Sequence, residues 1–323
     1  MSELISFKQY LAILSEASLR EAFSPVAGDD YLCVDISDVD DQMILNLSLP
    51  PCPVIGVRDT FLPQPMVDLV VPSSEIEEVI ARIRAQPIAS ATLVQLLRHN
   101  AHASIADGLF AESLAYSTLQ HSTGFEIWLE GRTEPVLSDE PTDTPPLLVE
   151  QDGTTLVLTF NRPTVHNAYN MALKDDLCAA LHAAGAQTDL HEVRLTGNGP
   201  SFCAGGDLTE FGRARDAGTA HLSRVTRSAG FLLSDLTQHT VCHLHGACIG
   251  AGIEIPAFAD RLIAEEESFF QLPEIGFGLV PGAGGTVSVT RRIGRHRTAQ
   301  MAITGERVDA PKALAWGLID TVA

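Results

Sequence analysis

Ser201-Phe202-Cys203-Ala204-Gly205-Gly206-Asp207-Leu208 decides how the second half of this chain folds, read together with two glycine-rich stretches downstream of it. These are His245-Gly246-Ala247-Cys248-Ile249-Gly250-Ala251-Gly252-Ile253-Glu254 and Pro281-Gly282-Ala283-Gly284-Gly285-Thr286. Small residues let a ligand approach the main chain, and free amides at a helix start hold a negative oxygen. Any one of these stretches alone would pass for a tight turn. Three in succession, with neither GxGxxG nor GxxxxGK[ST] spacing, point to a backbone-built site and away from the common nucleotide loops.

Outward from these loops the sequence alternates strand and helix. Leu156, Leu158 and Phe160 recur at strand period, and Asn170 stands where it can cap a helix carrying Leu173, Leu177 and Leu181. Residues 193–195 and 241–244 read as short strands, 249–258 as a buried helix and 261–264 as the strand after it. Such alternation predicts an α/β fold with mostly parallel strands. Residues 133–147, rich in proline and acid, read as a linker between an N-terminal region (1–132) and the domain at 148–323. In the first region, 31–34 and 53–57 look like strands. Ser74 and Glu77 make a capping box for a helix with Ile76, Val79, Ile80 and Ile83 on one face. Pro87 stops that helix, and helical stretches follow around Leu93-Leu96-Leu97 and over 105–120.

The 323 residues suggest about two domains at the usual size. A hydrophobic fraction of 45% suffices for a sizeable core, and a formal net charge of −20 argues against nucleic-acid or anionic-membrane binding. No basic segment followed by an apolar run opens the chain, and no long uncharged apolar stretch occurs, so neither a signal peptide nor a membrane span is expected. The six cysteines show no CxxC pair and no His/Cys metal spacing, which fits reduced core thiols of a cytoplasmic protein without a metal.

Glu254 and Glu274 stand apart from the other acids, because neither has a charged residue within four positions. A carboxylate in an apolar run is paired or has its protonation altered by desolvation. Two in one pocket repel when both are ionised, which favours one protonated and one charged, as general acid–base chemistry requires.

The run from Ser201 to Leu208 resembles the FxAGxDL signature of the crotonase (enoyl-CoA hydratase/isomerase) superfamily. Residues 245–260 and 270–286 resemble its second and third signatures, and Asn161-Arg162-Pro163 through His166-Asn167-Ala168 resembles its NRPxxxNAL segment. The resemblance covers about 148–323 and implies a crotonase-like ββα superhelical (spiral) fold acting on an acyl-CoA thioester. It implies an oxyanion hole from the backbone N–H groups of Ala204 and Ala251. A coenzyme A site would be lined by His166, Asn167, Ala168, Ala204, Gly205, Gly206, Asp207 and Leu208. It assigns Glu254 to the water and Glu274 to protonation of the substrate in a hydratase. A double-bond isomerase, a thioester hydrolase or a non-catalytic acyl-CoA binder are the alternatives. No cofactor beyond the coenzyme A of the substrate is implied, and a homo-oligomer, trimer or hexamer, is expected. Asp207, Cys203, Cys248 and His245 read as structural residues.

Two departures stand out. Ala251 occupies a position where hydratases commonly have glycine. The family also continues past its GLxDxVV strand into several helices, whereas this chain reaches Ala323 there. Pro65-Met66-Val67-Asp68-Leu69-Val70-Val71 resembles that same strand, and helices ending in Phe125-Glu126-Ile127-Trp128-Leu129-Glu130-Gly131-Arg132 follow it. Residues 1–132 therefore read either as a degenerate crotonase-like half supplying cap helices, in cis or from a neighbouring subunit, or as an unrelated helical domain.

Overall fold

The computed structural model describes residues 4–39, 47–133, 144–213 and 216–323. Most of the predicted linker, 134–143, lies outside them. The first region carries four parallel strands in the order β1 (Leu4–Ser6), β2 (Leu32–Asp35), β3 (Val54–Val57) and β4 (Leu69–Val71). The inner strand β3 and its neighbour β4 are unbroken apolar runs because both faces are covered, whereas the edge strand β1 is largely exposed. Cys33, Ile55, Leu69 and Val71 join the main core, whereas Leu32, Val34, Val54 and Val70 pack with Tyr10 and Leu14 of helix α1 (Phe7–Ser15). A short helix, α2 (Ala17–Ala22), follows α1. After β4 come α3 (Ile76–Ala85), α4 (Pro87–Asn100), α5 (Ile105–Leu119) and α6 (Thr123–Gly131). The capping box expected from Ser74 and Glu77 does not form. Ser73–Glu75 is a 3-10 turn, and Glu75 precedes α3 without a side-chain cap.

The second half opens with a hairpin, β5 (Leu147–Asp152) and β6 (Thr155–Phe160), and continues through α7 (Met171–Gly185), which Asn170 caps as predicted. A six-stranded sheet runs β13-β10-β8-β7-β6-β5, with β7 (Glu192–Gly197), β8 (His239–Leu244), β10 (Arg261–Ala264) and β13 (Thr321–Val322) parallel to β6. A smaller sheet holds β9 (Ala247–Ile249), β11 (Phe269–Gln271) and β12 (Val308–Asp309). Each of β8 and β10 thus passes into a strand of the small sheet and then a helical turn, a repeated ββα unit. The helices of this half are α8 (Ala217–Thr226), α9 (Ala229–Asp235), α10 (Ala251–Glu254), α11 (Gly285–Thr304) and α12 (Ala310–Trp316).

The buried helix expected over 249–258 is divided. Ile249 ends β9, Gly250 turns with φ 49°, α10 is only four residues long, and Pro256 opens a 3-10 turn. Proline cannot donate to a helical ladder, and only glycine adopts that φ without strain.

The two halves share one core. Asp68, buried before β4, receives Arg98 Nε at 2.8 Å from α4 and Arg295 Nη1 at 3.2 Å from α11. His296 meets the Gln64 carbonyl at 2.8 Å. Among the described residues no helix is long and apolar enough to cross a membrane.

Candidate active site

A cavity of about 970 Å³ lies between α5, α8, α9, α10 and the loop at 282–284, and both predicted glutamates line it. Glu254 closes α10 and is 2% exposed. Its Oε2 accepts the N–H groups of Ala283 and Gly285, each at 2.8 Å. Glu274 opens the 3-10 turn Glu274–Phe277 and is 8% exposed, and its Oε2 has no hydrogen-bond partner among the described residues. The two carboxylates converge on Gly250: a Cβ there would sit 2.5 Å from Glu274 Oε1 and 3.7 Å from Glu254 Oε1.

Burial pushes the Glu274 carboxyl well above the usual carboxylate range, and the neighbouring Glu254 charge adds to it. Burial raises Glu254 as well, but its two amide hydrogen bonds favour the ionised form and pull it back. The pair is thereby biased apart, with Glu274 holding a proton beside an ionisable Glu254.

A third buried carboxylate, missed in the sequence, comes from the first half. Glu112 on α5 accepts Gly284 N at 2.7 Å on Oε1, and Thr286 N at 3.0 Å and Thr286 Oγ1 at 2.6 Å on Oε2. Asn100 Nδ2 in turn donates to Thr286 Oγ1 at 2.9 Å. Burial raises the Glu112 carboxyl, followed by the charge of Glu254. Glu112 and Glu254 therefore grip alternate amides of one loop from opposite sides. The local signal was a buried stripe of small residues beside it on α5, Gly108, Ser113 and Ser117. Helix α6 packs on the turn that holds Glu274, with the Trp128 and Phe277 rings 4.7 Å apart. These covering helices belong to the same chain as the site.

The structure places the two expected oxyanion donors differently. The Ala204 amide is committed to the His166 carbonyl at 2.9 Å, and Ala204 does not line the cavity. His166 sits in the left-handed region at φ 54°, in the tight turn whose carbonyl the Ala204 amide meets. In the same loop Tyr169 brackets Gly206: Tyr169 N donates to Gly205 O at 2.8 Å, and Asp207 N donates to Tyr169 O at 3.0 Å. The Gly206 amide is left without an acceptor among the described residues, and Gly206 lines the cavity. So does Ala251, whose amide, at the first position of α10, has no intrahelical partner. Gly206 and Ala251 each lie three residues beyond Cys203 and Cys248, which pair as a parallel bridge.

Of the expected coenzyme A residues, Gly206 and Asp207 line the cavity, while His166, Asn167, Ala168, Gly205 and Leu208 do not. The Asn167 side chain is fully employed within the protein. It accepts Arg162 N at 2.7 Å and donates to Asn198 O and Ser201 O at 2.9 Å each. Asp207 binds Thr209 N at 3.0 Å and Arg162 Nη2 at 3.0 Å, so it shapes the loop. His166 Nδ1 meets Ser201 Oγ at 3.0 Å, and His245 Nε2 meets Gly199 O at 3.0 Å.

Known proteins carry the same architecture. The Enoyl-CoA hydratase/isomerase family model matches residues 150–323. The chain is 35% identical over 176 residues to 2,3-dehydroadipyl-CoA hydratase of Escherichia coli, covering 54% of this chain and 68% of that protein. It is 33% identical over 177 residues to trans-2-decenoyl-[acyl-carrier-protein] isomerase of Streptococcus mutans, covering 54% and 67%. The solved enoyl-CoA hydratase from Bacillus anthracis superposes with a TM-score of 0.52 at 29% identity, covering 55% of this chain and 70% of that one. The fold expected from the glycine-rich signatures is the fold these structures share, and the chain belongs to the enoyl-CoA hydratase/isomerase family of the crotonase superfamily.

Proposed function

We propose that this protein hydrates a 2-enoyl-CoA thioester. The observation that carries the reading is the unequal treatment of two converging carboxylates, one held by two amides and the other left with a bare buried oxygen. Ionised Glu254 takes a proton from water as the water oxygen bonds to C3. Glu274 delivers its proton to C2, so one water is added across the double bond and each carboxyl has changed its charge once. The Gly206 and Ala251 amides receive the thioester oxygen as it gains enolate charge, and each such donor contributes about 3–4 kcal/mol of transition-state stabilisation. Glu112 touches no substrate in this scheme. It holds the Gly284 amide, next to the Gly285 amide that orients Glu254. Residues 1–132 act in this reading as a degenerate half whose α5 and α6 cover the site that the second half carries.

The test is turnover of short, long and ring-bearing 2-enoyl-CoAs, followed as loss of the conjugated-enone absorbance with product identification. Hydration by the wild type, lost in Glu254→Gln and Glu274→Gln while acyl-CoA binding persists, is expected. A shift of the double bond with no added water would make the protein an isomerase instead.

A further inference from the structure

The cavity that holds the glutamates is also lined by a cation that the hydration scheme leaves unused. Arg224 on α8 lines the cavity half-buried, and its guanidinium stacks 4.8 Å from the centroid of the Tyr116 ring on α5. Its hydrogen bonds all go to neutral oxygens: Nε to Ser113 Oγ at 3.3 Å, Nη1 to Gln120 Oε1 at 3.4 Å, and Nη2 to Ser117 Oγ. No carboxylate pairs with it among the described residues, although Arg162, Arg194, Arg227 and Arg292 each have one. A guanidinium has five N–H donors, so one N–H on each terminal nitrogen remains for a further acceptor. Burial pushes this guanidinium down, so an anion is the partner that would offset its desolvation.

We propose that Arg224 is a specificity residue for the far end of the acyl chain, and that the preferred substrates are enoyl thioesters whose chain ends in a carboxylate. The position of Tyr116 decides between an acyl carboxylate and the phosphates of coenzyme A. The Tyr116 ring fills the space where a side chain on Gly282 would stand, one residue before the Ala283 amide that binds Glu254. Tyr116 also lies one helical turn from Glu112 on α5. Arg224 is thus a single aromatic ring away from the loop that positions Glu254. The pyrophosphate is held away from the reacting carbons by the whole length of pantetheine, whereas the end of a short acyl chain is not. Leu109, Phe110 and Phe231 line the same cavity and suit the methylenes between.

This inference rests on the reading of the cavity as an acyl-CoA site, and its test does not depend on which reaction follows. Calorimetry would compare saturated acyl-CoAs of graded length that end in carboxylate with methyl-ended partners of equal length, and with free coenzyme A. The wild type is expected to favour the carboxylate end at one or more lengths by about tenfold to a hundredfold, the scale of a hydrogen bond to a charged group. Arg224→Met should abolish that preference, and Arg224→Lys should keep part of it, since a point charge lacks the planar fork. Equal affinity for both chain ends at every length would overturn the proposal. So would an Arg224→Met variant that weakens free coenzyme A as much as the carboxylated thioesters, because the anion at Arg224 would then be a phosphate. Absence of binding by every acyl-CoA would overturn the acyl-CoA reading and this inference together, whereas binding with the expected preference but no hydration would sink the hydratase reading alone.

Discussion

Removing the Glu112 carboxylate tests whether the first half of the chain holds the catalytic loop or only covers it. In Glu112→Ala, three donors lose their acceptor at once: Gly284 N, Thr286 N and Thr286 Oγ1. A buried donor left unpaired costs about 1–3 kcal/mol, so a loss of at least ~3 kcal/mol is expected before any admitted water offsets it. Glu112→Gln keeps an acceptor for Gly284 N, but its amide nitrogen only donates, so the Thr286 N–H and the Thr286 hydroxyl hydrogen both lose their acceptor. Its expected cost is about 2 kcal/mol or more, below that of alanine. Urea unfolding of both variants beside the wild type reads the difference, and the midpoint order should be wild type, Gln, Ala. Because the Gly284–Gly285 backbone also orients Glu254, kcat should fall in the same order while KM changes less. An alanine variant within about 1 kcal/mol of wild type, or a glutamine variant as unstable as alanine, would refute the reasoning.

The pH dependence of kcat/KM should be bell-shaped. Activity is lost as pH falls and Glu254, raised by burial, takes up a proton, and it is lost again as pH rises through the still higher titration of Glu274. Glu274→Gln should gain stability relative to wild type as pH rises. A carboxyl whose folded pKa is raised binds its proton more tightly folded than unfolded, so its contribution is full below the ordinary Glu range and declines above it, by up to ~1.4 kcal/mol per pH unit. Thermal midpoints at about pH 5 and pH 8 measure this, and a constant gap would contradict it. Gly250→Ala places a methyl group 2.5 Å from Glu274 Oε1 at a left-handed φ. Displacing that carboxylate by about an ångström should lower kcat on the order of a hundredfold in a protein with wild-type circular dichroism. An unchanged kcat would show that the two carboxylates do not work from these positions.

Local chemistry made part of this molecule legible. Asn170 announced α7, and Glu254 and Glu274 could be singled out because apolar neighbours on both sides bury a carboxylate wherever the chain goes. The features that eluded reading depend on partners far along the chain. Glu112 looks like any helical glutamate until the loop at 284–286 closes over it. That the Ala204 amide is spent is decided by the His166 carbonyl on a neighbouring segment, and three consecutive small residues carry no mark of it. The Ser74–Glu77 spacing fits a capping box, yet a 3-10 turn over 73–75 moved the helix start past it.

The clasp between α5 and the loop before α11 also bears on the order of assembly. Its hydrogen bonds, together with that of Asn100 from α4, join residues 172, 174 and 186 positions apart. Closing so long a loop is entropically slow, and contacts of this range form late in folding. The first half, synthesised early, must wait with the Glu112 carboxylate solvated and α5 uncovered until its distant partner exists. Catalytic competence should therefore appear as the last kinetic phase of refolding, after the strands of both halves have already regained their circular dichroism.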